Sequence, residues 1–138
     1  MFVACDSIIE RRNKILLVKR KFEPFKGFYA FPGGKVEENE LVEKAIVREV
    51  KEETGYIIKP IEILGVYSDP KRDPRGHVIT ITFISKIIKG KLKNSIETEP
   101  KWFKINEVKK MKLAFDHSKI FKDYLKWKKK KQTFWSTK

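Results

Sequence analysis

Apolar residues along this chain follow two rhythms. In FVACDSIIE (2–10) and KILLVKR (14–20) they form short β-branched and aliphatic runs around the polar RRN, which predicts two strands and a tight turn. IIKPIEILGVYS (57–68) and HVITITFISKII (77–88) read as longer strands on either side of the loop DPKRDPRG (69–76), and KWFKI (101–105) as another short one. In FYAFPGGK (28–35), Phe28, Tyr29 and Phe31 suggest a short strand, and Pro32-Gly33-Gly34 a sharp backbone turn. From about Glu40 to Thr54 the spacing becomes helical, with Gly55 placed to close the helix. NEVKKM and DHSKIFKDYLKW (116–127) are helical too, Asp116 capping the second and Ile120, Phe121, Tyr124, Leu125 and Trp127 supplying its apolar side. The order β-β-(β)-α-β-β-β-α-α predicts an α/β fold, a mixed sheet with helices on both faces. With no linker or repeat, 1–138 reads as a single domain, and 128–138 as a basic, solvated C-terminal tail.

Projected at roughly 100° per residue, the central helix places Leu41, Val42, Ala45, Ile46 and Val50 on one stripe. Glu40 and Lys44 are spaced for an i,i+4 pair on the other side. Glu49, Glu52 and Glu53 do not join that polar side. They project with the apolar stripe, in the last turn, where the helix dipole disfavours negative charge. Two readings fit such acids: a frayed, hydrated last turn, or hard oxygen ligands neutralised by a divalent cation.

Charge sharpens the contrast. The formal net charge is +14, yet residues 37–53 hold seven glutamates against Lys44, Arg48 and Lys51, a local −4 that leaves +18 elsewhere. Such a field attracts phosphorylated metabolites or nucleic acid, although a lysine-rich composition of the thermophilic kind accounts for the bulk charge equally well. The one cysteine, Cys5, can form no internal disulfide and reads as a small core residue in a protein of the reducing cytoplasm. No apolar run approaches the roughly 20 residues that span a bilayer, so no membrane role is expected.

GKVEENELVEKAIVREVKEETGY (34–56) carries a complete pattern, with Gly34, Glu40, Arg48, Glu49, Val50, Glu52, Glu53 and Gly55 in register for G-x5-E-x7-R-E-U-x-E-E-x-G-U. The final apolar position is Tyr56, a mild departure. In this the chain resembles the Nudix hydrolases, which cleave a nucleoside diphosphate linked to another moiety. The resemblance implies a Nudix-type α/β/α sandwich, and Mg²⁺ or Mn²⁺ held by Glu49, Glu52, Glu53 and the carbonyl of Gly33. Glu40 and Arg48 would brace the loop against the helix. The general base would be a box glutamate or one of the later acids Glu97 and Glu99, with Glu97 preferred.

A second stretch, YSDPKRDPRGH (67–77), places Pro70 fifteen residues past Gly55. This resembles ADP-ribose pyrophosphatases of the archaeal type. Arg72, Arg75 and His77 then become candidate substrate contacts, against the alternative of a solvated turn. LAFDHSKI (113–120) is similar to the same group and to transcription regulators that bind ADP-ribose. The resemblance implies hydrolysis of ADP-ribose to AMP and ribose 5-phosphate. The alternatives are a MutT-type triphosphate pyrophosphohydrolase, or a module that binds ADP-ribose or nucleic acid without catalysis. The partner expected is a small nucleotide rather than nucleic acid, and Trp127 and Trp135 leave a homodimer open.

Overall fold

A computed structural model describes the whole chain, residues 1–138. The first strands, β1 (Phe2–Arg11) and β2 (Lys14–Arg20), pair antiparallel with Glu10 opposite Ile15. Arg12 and Asn13 between them have φ of 53° and 63°, and positive φ at both central residues is what a type I′ hairpin requires. Within KILLVKR the run Ile15–Val18 is continuously apolar because both faces of β2 are covered. Ile15 and Leu17 enter one core, and Leu16 enters the other.

Two short strands follow, β3 (Tyr29–Ala30) on β2 and β4 (Gly33–Lys35) on β1, then helix α1 (Val42–Thr54). Strands β5 (Tyr56–Tyr67) and β6 (Val78–Gly90) pair antiparallel, and β6 lies parallel to β1. β7 (Thr98–Lys104) returns to β2, followed by the short helix α2 (Ile105–Val108), helix α3 (His117–Lys129) and β8 (Phe134–Trp135). The strand order is β3-β2-β1-β6-β5-β8, a mixed sheet as the element order predicts.

Helix α1 covers one face, setting Ala45, Ile46 and Val50 against Cys5, Ile9, Leu16 and Phe83. Helix α3 covers the other, setting Ile120, Phe121 and Tyr124 against Ile8, Ile15, Leu17 and Leu64. Cys5 is buried in the α1-side core, and burial pushes its thiol up to about 12, so it is an inert core residue. No helix is long and apolar enough to cross a membrane.

Three expectations need correction. Leu41 is 61% exposed at the N-cap position, so the apolar stripe of α1 starts at Val42. Glu40 does not pair with Lys44, because its carboxylate is taken by Arg48. The C-terminal tail is not wholly solvated. α3 continues to Lys129, and β8 then lies parallel to β5 with Phe134 only 2% exposed. Trp127 packs against the α3-side core and stacks on Tyr124, whereas Trp135 is about half exposed.

Candidate active site

The last turn of α1 delivers its acids to the edge of the sheet, beside the turn before β4. Glu53 is buried, and its Oε1 accepts a 2.8 Å hydrogen bond from the N–H of Gly33. Burial pushes its carboxyl up to about 8, against the pull of that bond and with help from the charges of Glu49 and Glu97. Glu49 is pushed up as well, first by burial and then by Glu52 and Glu97, even though Arg48 offsets part of this. A Cβ added at Gly34 would lie 2.5 Å from the Glu49 carboxyl carbon, so only glycine lets that carboxylate approach the turn. Glu52 is the exposed member, with its Oε2 3.4 Å from Arg48 Nη1.

Arg48 holds this corner together. Its Nε and Nη2 donate to the two carboxylate oxygens of Glu40 at 2.8 and 2.9 Å, its Nη1 to Glu49 at 2.9 Å, and its Nη2 also to the carbonyl of Lys35. The fork ties the 35–40 loop to the helix. The hydrogen bonds from Arg48 pull the Glu40 carboxyl down from 4.5 to about 2. A lowered folded-state value means the contribution is complete above the unfolded value and lost as pH falls through the folded one. The gap in urea midpoint between the wild type and Glu40→Gln is therefore expected to be constant above pH 4.5 and to close towards pH 2. A gap unchanged down to pH 2 would contradict the brace.

Glu53 also lines a second wall. The cavity beside it is bounded by Arg20, Arg72, Arg75, Phe115 and His117. Arg20, at the end of β2, donates its Nε to the carbonyl of Pro24 at 2.6 Å. Its pKa is lowered by burial and then by the charge of Arg75. Both guanidiniums face the Phe115 ring, at 5.0 and 5.8 Å. Two cations held this close, one of them half-buried, form a ready seat for an anion. Arg75 also pairs with Asp73 at 2.8 Å.

Beneath the cavity lies a buried polar knot. Asp6 accepts hydrogen bonds from Thr80 and Thr82, and its Oδ2 sits 3.5 Å from His117 Nε2. Burial pushes the Asp6 carboxyl up, but His117, Thr82 and Arg72 together outweigh it and hold it below the usual range. His117 Nδ1 in turn accepts from the N–H of Phe31, which fixes the start of α3 against the bend at Pro32; Gly33 and Gly34, expected in that turn, instead open β4.

The predicted site residues divide by place. Glu49, Glu52, Glu53 and Glu97 line one acidic cleft, while Glu99 lies outside it on β7, opposite Lys19. Gly33 adjoins Glu53 through its N–H, and Gly55, at φ 84°, ends α1. The carboxylates are not gathered around one point, and no trio of acidic or imidazole side chains forms a closed ligand set. As desolvated oxygen donors whose carboxyls are both pushed up by burial and by neighbouring acids, Glu49 and Glu53 nevertheless fit a hard divalent cation.

Arg72 and Arg75 line the cavity, but Arg72 is buried and commits its Nε and Nη2 to Asp116 at 3.0 and 2.7 Å. Asp116 therefore does not cap α3 with its side chain, as its sequence position suggests; the ion pair claims it. His77 is not brought into the cavity. Its Nε2 lies 2.8 Å from the carbonyl of Ser68, at the base of the 69–76 loop. Arg20 and the Asp6–His117 pair escape a sequence reading. Arg20 looks like any solvated strand end, and only the fold brings it towards Glu53.

Comparison with known proteins agrees with this architecture. The profile described as NUDIX domain matches residues 2–124. The chain is 59% identical over 127 residues to the ADP-ribose pyrophosphatase of Methanocaldococcus jannaschii, covering 91% of this chain and 74% of that protein. It superposes on the NUDIX domain of Shewanella oneidensis NrtR complexed with ADP ribose, with a TM-score of 0.82 and 27% identity, covering 91% of this chain and 87% of that one. A MutT/nudix family protein from Enterococcus faecalis gives a TM-score of 0.81 and 32% identity, over 94% of this chain and 62% of that one. With its box intact, its acids at the sheet edge and these relatives, the chain belongs to the Nudix family.

Proposed function

We propose that this chain hydrolyses the pyrophosphate bond of ADP-ribose to AMP and ribose 5-phosphate, using Mg²⁺ or Mn²⁺. The observation that carries this reading is a cavity with the buried Glu53 carboxylate on one wall and the guanidiniums of Arg20 and Arg75 on another. A pyrophosphate needs both, a cation site at the reacting phosphorus and fixed positive charge for the remaining oxygens. ADP-ribose is favoured by the name of the M. jannaschii relative and by the ligand of the S. oneidensis domain.

In this proposal Glu49, Glu52, Glu53 and the Gly33 carbonyl would hold the cation. When bound, a divalent cation supplies charge neutralisation and activation of the attacking water. Glu97, which faces the acids across their cleft, takes the proton as the water oxygen bonds to phosphorus and the anhydride P–O bond breaks. The leaving phosphate departs with its electron pair towards Arg20 and Arg75. Arg72 holds the loop of Arg75 through Asp116, and Arg48 with Glu40 keeps Glu49 in place.

A substrate panel with Mg²⁺ tests the assignment. ADP-ribose is expected to give the highest kcat/KM among ADP-ribose, 8-oxo-dGTP, dinucleoside polyphosphates and sugar nucleotides. Turnover of 8-oxo-dGTP with inert ADP-ribose would replace it with the MutT-type reading.

A further inference from the structure

We infer that the C-terminal strap Thr133–Ser136 is a positioning device for the substrate loop, with Ser136 as its clamp. This inference rests on the proposed ADP-ribose reading. The loop between β5 and β6 carries Arg72 and Arg75, two of the three guanidiniums of the cavity. Its first residues are not held by the sheet. They are held by the strap: Ser136 Oγ accepts from the N–H of Ser68 at 2.8 Å and from the N–H of Asp69 at 3.2 Å.

The grip passes from there into the loop. The Asp69 carbonyl accepts from the N–H of Arg72 at 3.0 Å, and its Oδ1 accepts from the N–H of Lys71 at 2.8 Å. Across the base, His77 closes on the carbonyl of Ser68. Fixing Ser68 and Asp69 therefore sets the starting direction of the turn that leads to Arg72 and Arg75.

The strap is itself anchored by independent features. Phe134 is buried in the α3-side core, and β8 pairs in register, Gly65 with Phe134 and Val66 with Trp135. A Cβ at Gly65 would collide with the Phe134 carbonyl group, so β5 has a gap shaped for the strap. Beyond Ser136, Lys119 of α3 donates to the Lys138 carbonyl at 2.9 Å while also pairing with Asp123. The strap thus spans from the core to the loop, and Ser136 is its only side chain that bonds to the loop backbone.

Because Ser68 and Asp69 donate at exposed positions, water can replace the hydroxyl in a variant, and stability should change little. The loop should loosen while the acids on α1 stay in place. Ser136→Ala is expected to raise KM for ADP-ribose roughly fivefold, the weight of about one net hydrogen bond, with kcat within twofold of wild type. Ser136→Thr, which restores the acceptor, should return KM to the wild-type value. Amide exchange at Ser68 and Asp69 should quicken in the alanine variant only. An unchanged KM, or a fall in kcat with KM unaltered, overturns the clamp. If the wild type does not turn over ADP-ribose, the functional reading fails separately. Exchange at the two amides then decides whether Ser136 holds the loop, and unchanged exchange overturns that too.

Discussion

Glu52→Gln is expected to lower kcat for ADP-ribose by at least about 100-fold, the scale set by removing one preorganised electrostatic group from an active site. The variant keeps the side chain's shape and removes only its charge. Glu52 is 58% exposed and its one ion-pair contact, to Arg48, is 3.4 Å long, so the fold does not depend on it. An exposed ion pair of this kind contributes at most about 1 kcal/mol. Far-ultraviolet circular dichroism and the thermal midpoint should therefore match wild type while turnover is lost. Undiminished turnover would remove Glu52 from the cation site. Buried Glu53 is a less clean probe, because its carboxylate also holds the Gly33 N–H.

The second large effect concerns stability. Arg72→Ala is expected to cost about 3 kcal/mol, near the lower end for breaking a buried pair because the Asp116 partner keeps some solvent. The Arg72 side chain is 4% exposed and that of Asp116 19%. Removing the guanidinium strands Asp116 and withdraws one of the charges that hold the Asp6 carboxyl low. For a chain of this size the thermal midpoint should fall by about 10 °C. The double variant Arg72→Ala/Asp116→Ala should recover part of that loss, since no carboxylate is left without its partner at that position. A single-variant loss below about 1 kcal/mol would mean that the ion pair is not structural.

Patterns that depend on neighbours in the chain were legible before the structure, and patterns that depend on topology were not. The apolar run of β2 and the helical spacing of α1 located the sheet and its covering helix, because burial on two faces and on one stripe leave different periods. The acids of the last turn stand out as a candidate site because their cost is local, a dipole and a projection. Glu40 shows the boundary. Its spacing suits Lys44, but the loop folds back and gives it Arg48, whose fork satisfies both carboxylate oxygens.

Arg20, Asp6 and His117 carry no local signal. They meet the site because β1, β2 and the start of α3 converge on one corner of the sheet. Asp116 has the position of a cap, and a long-range ion pair with Arg72 outcompetes that role. Phe134 was hidden in a lysine-rich tail, where composition pointed to solvent and one buried ring decided otherwise.

The most direct test of the central claim is product analysis of ADP-ribose incubated with the protein and Mg²⁺ in ¹⁸O-labelled water. The account predicts equimolar AMP and ribose 5-phosphate, with one labelled oxygen on a product phosphate and both products formed at least about 100-fold more slowly by Glu52→Gln. ADP-ribose recovered intact, whether or not it binds, would contradict it.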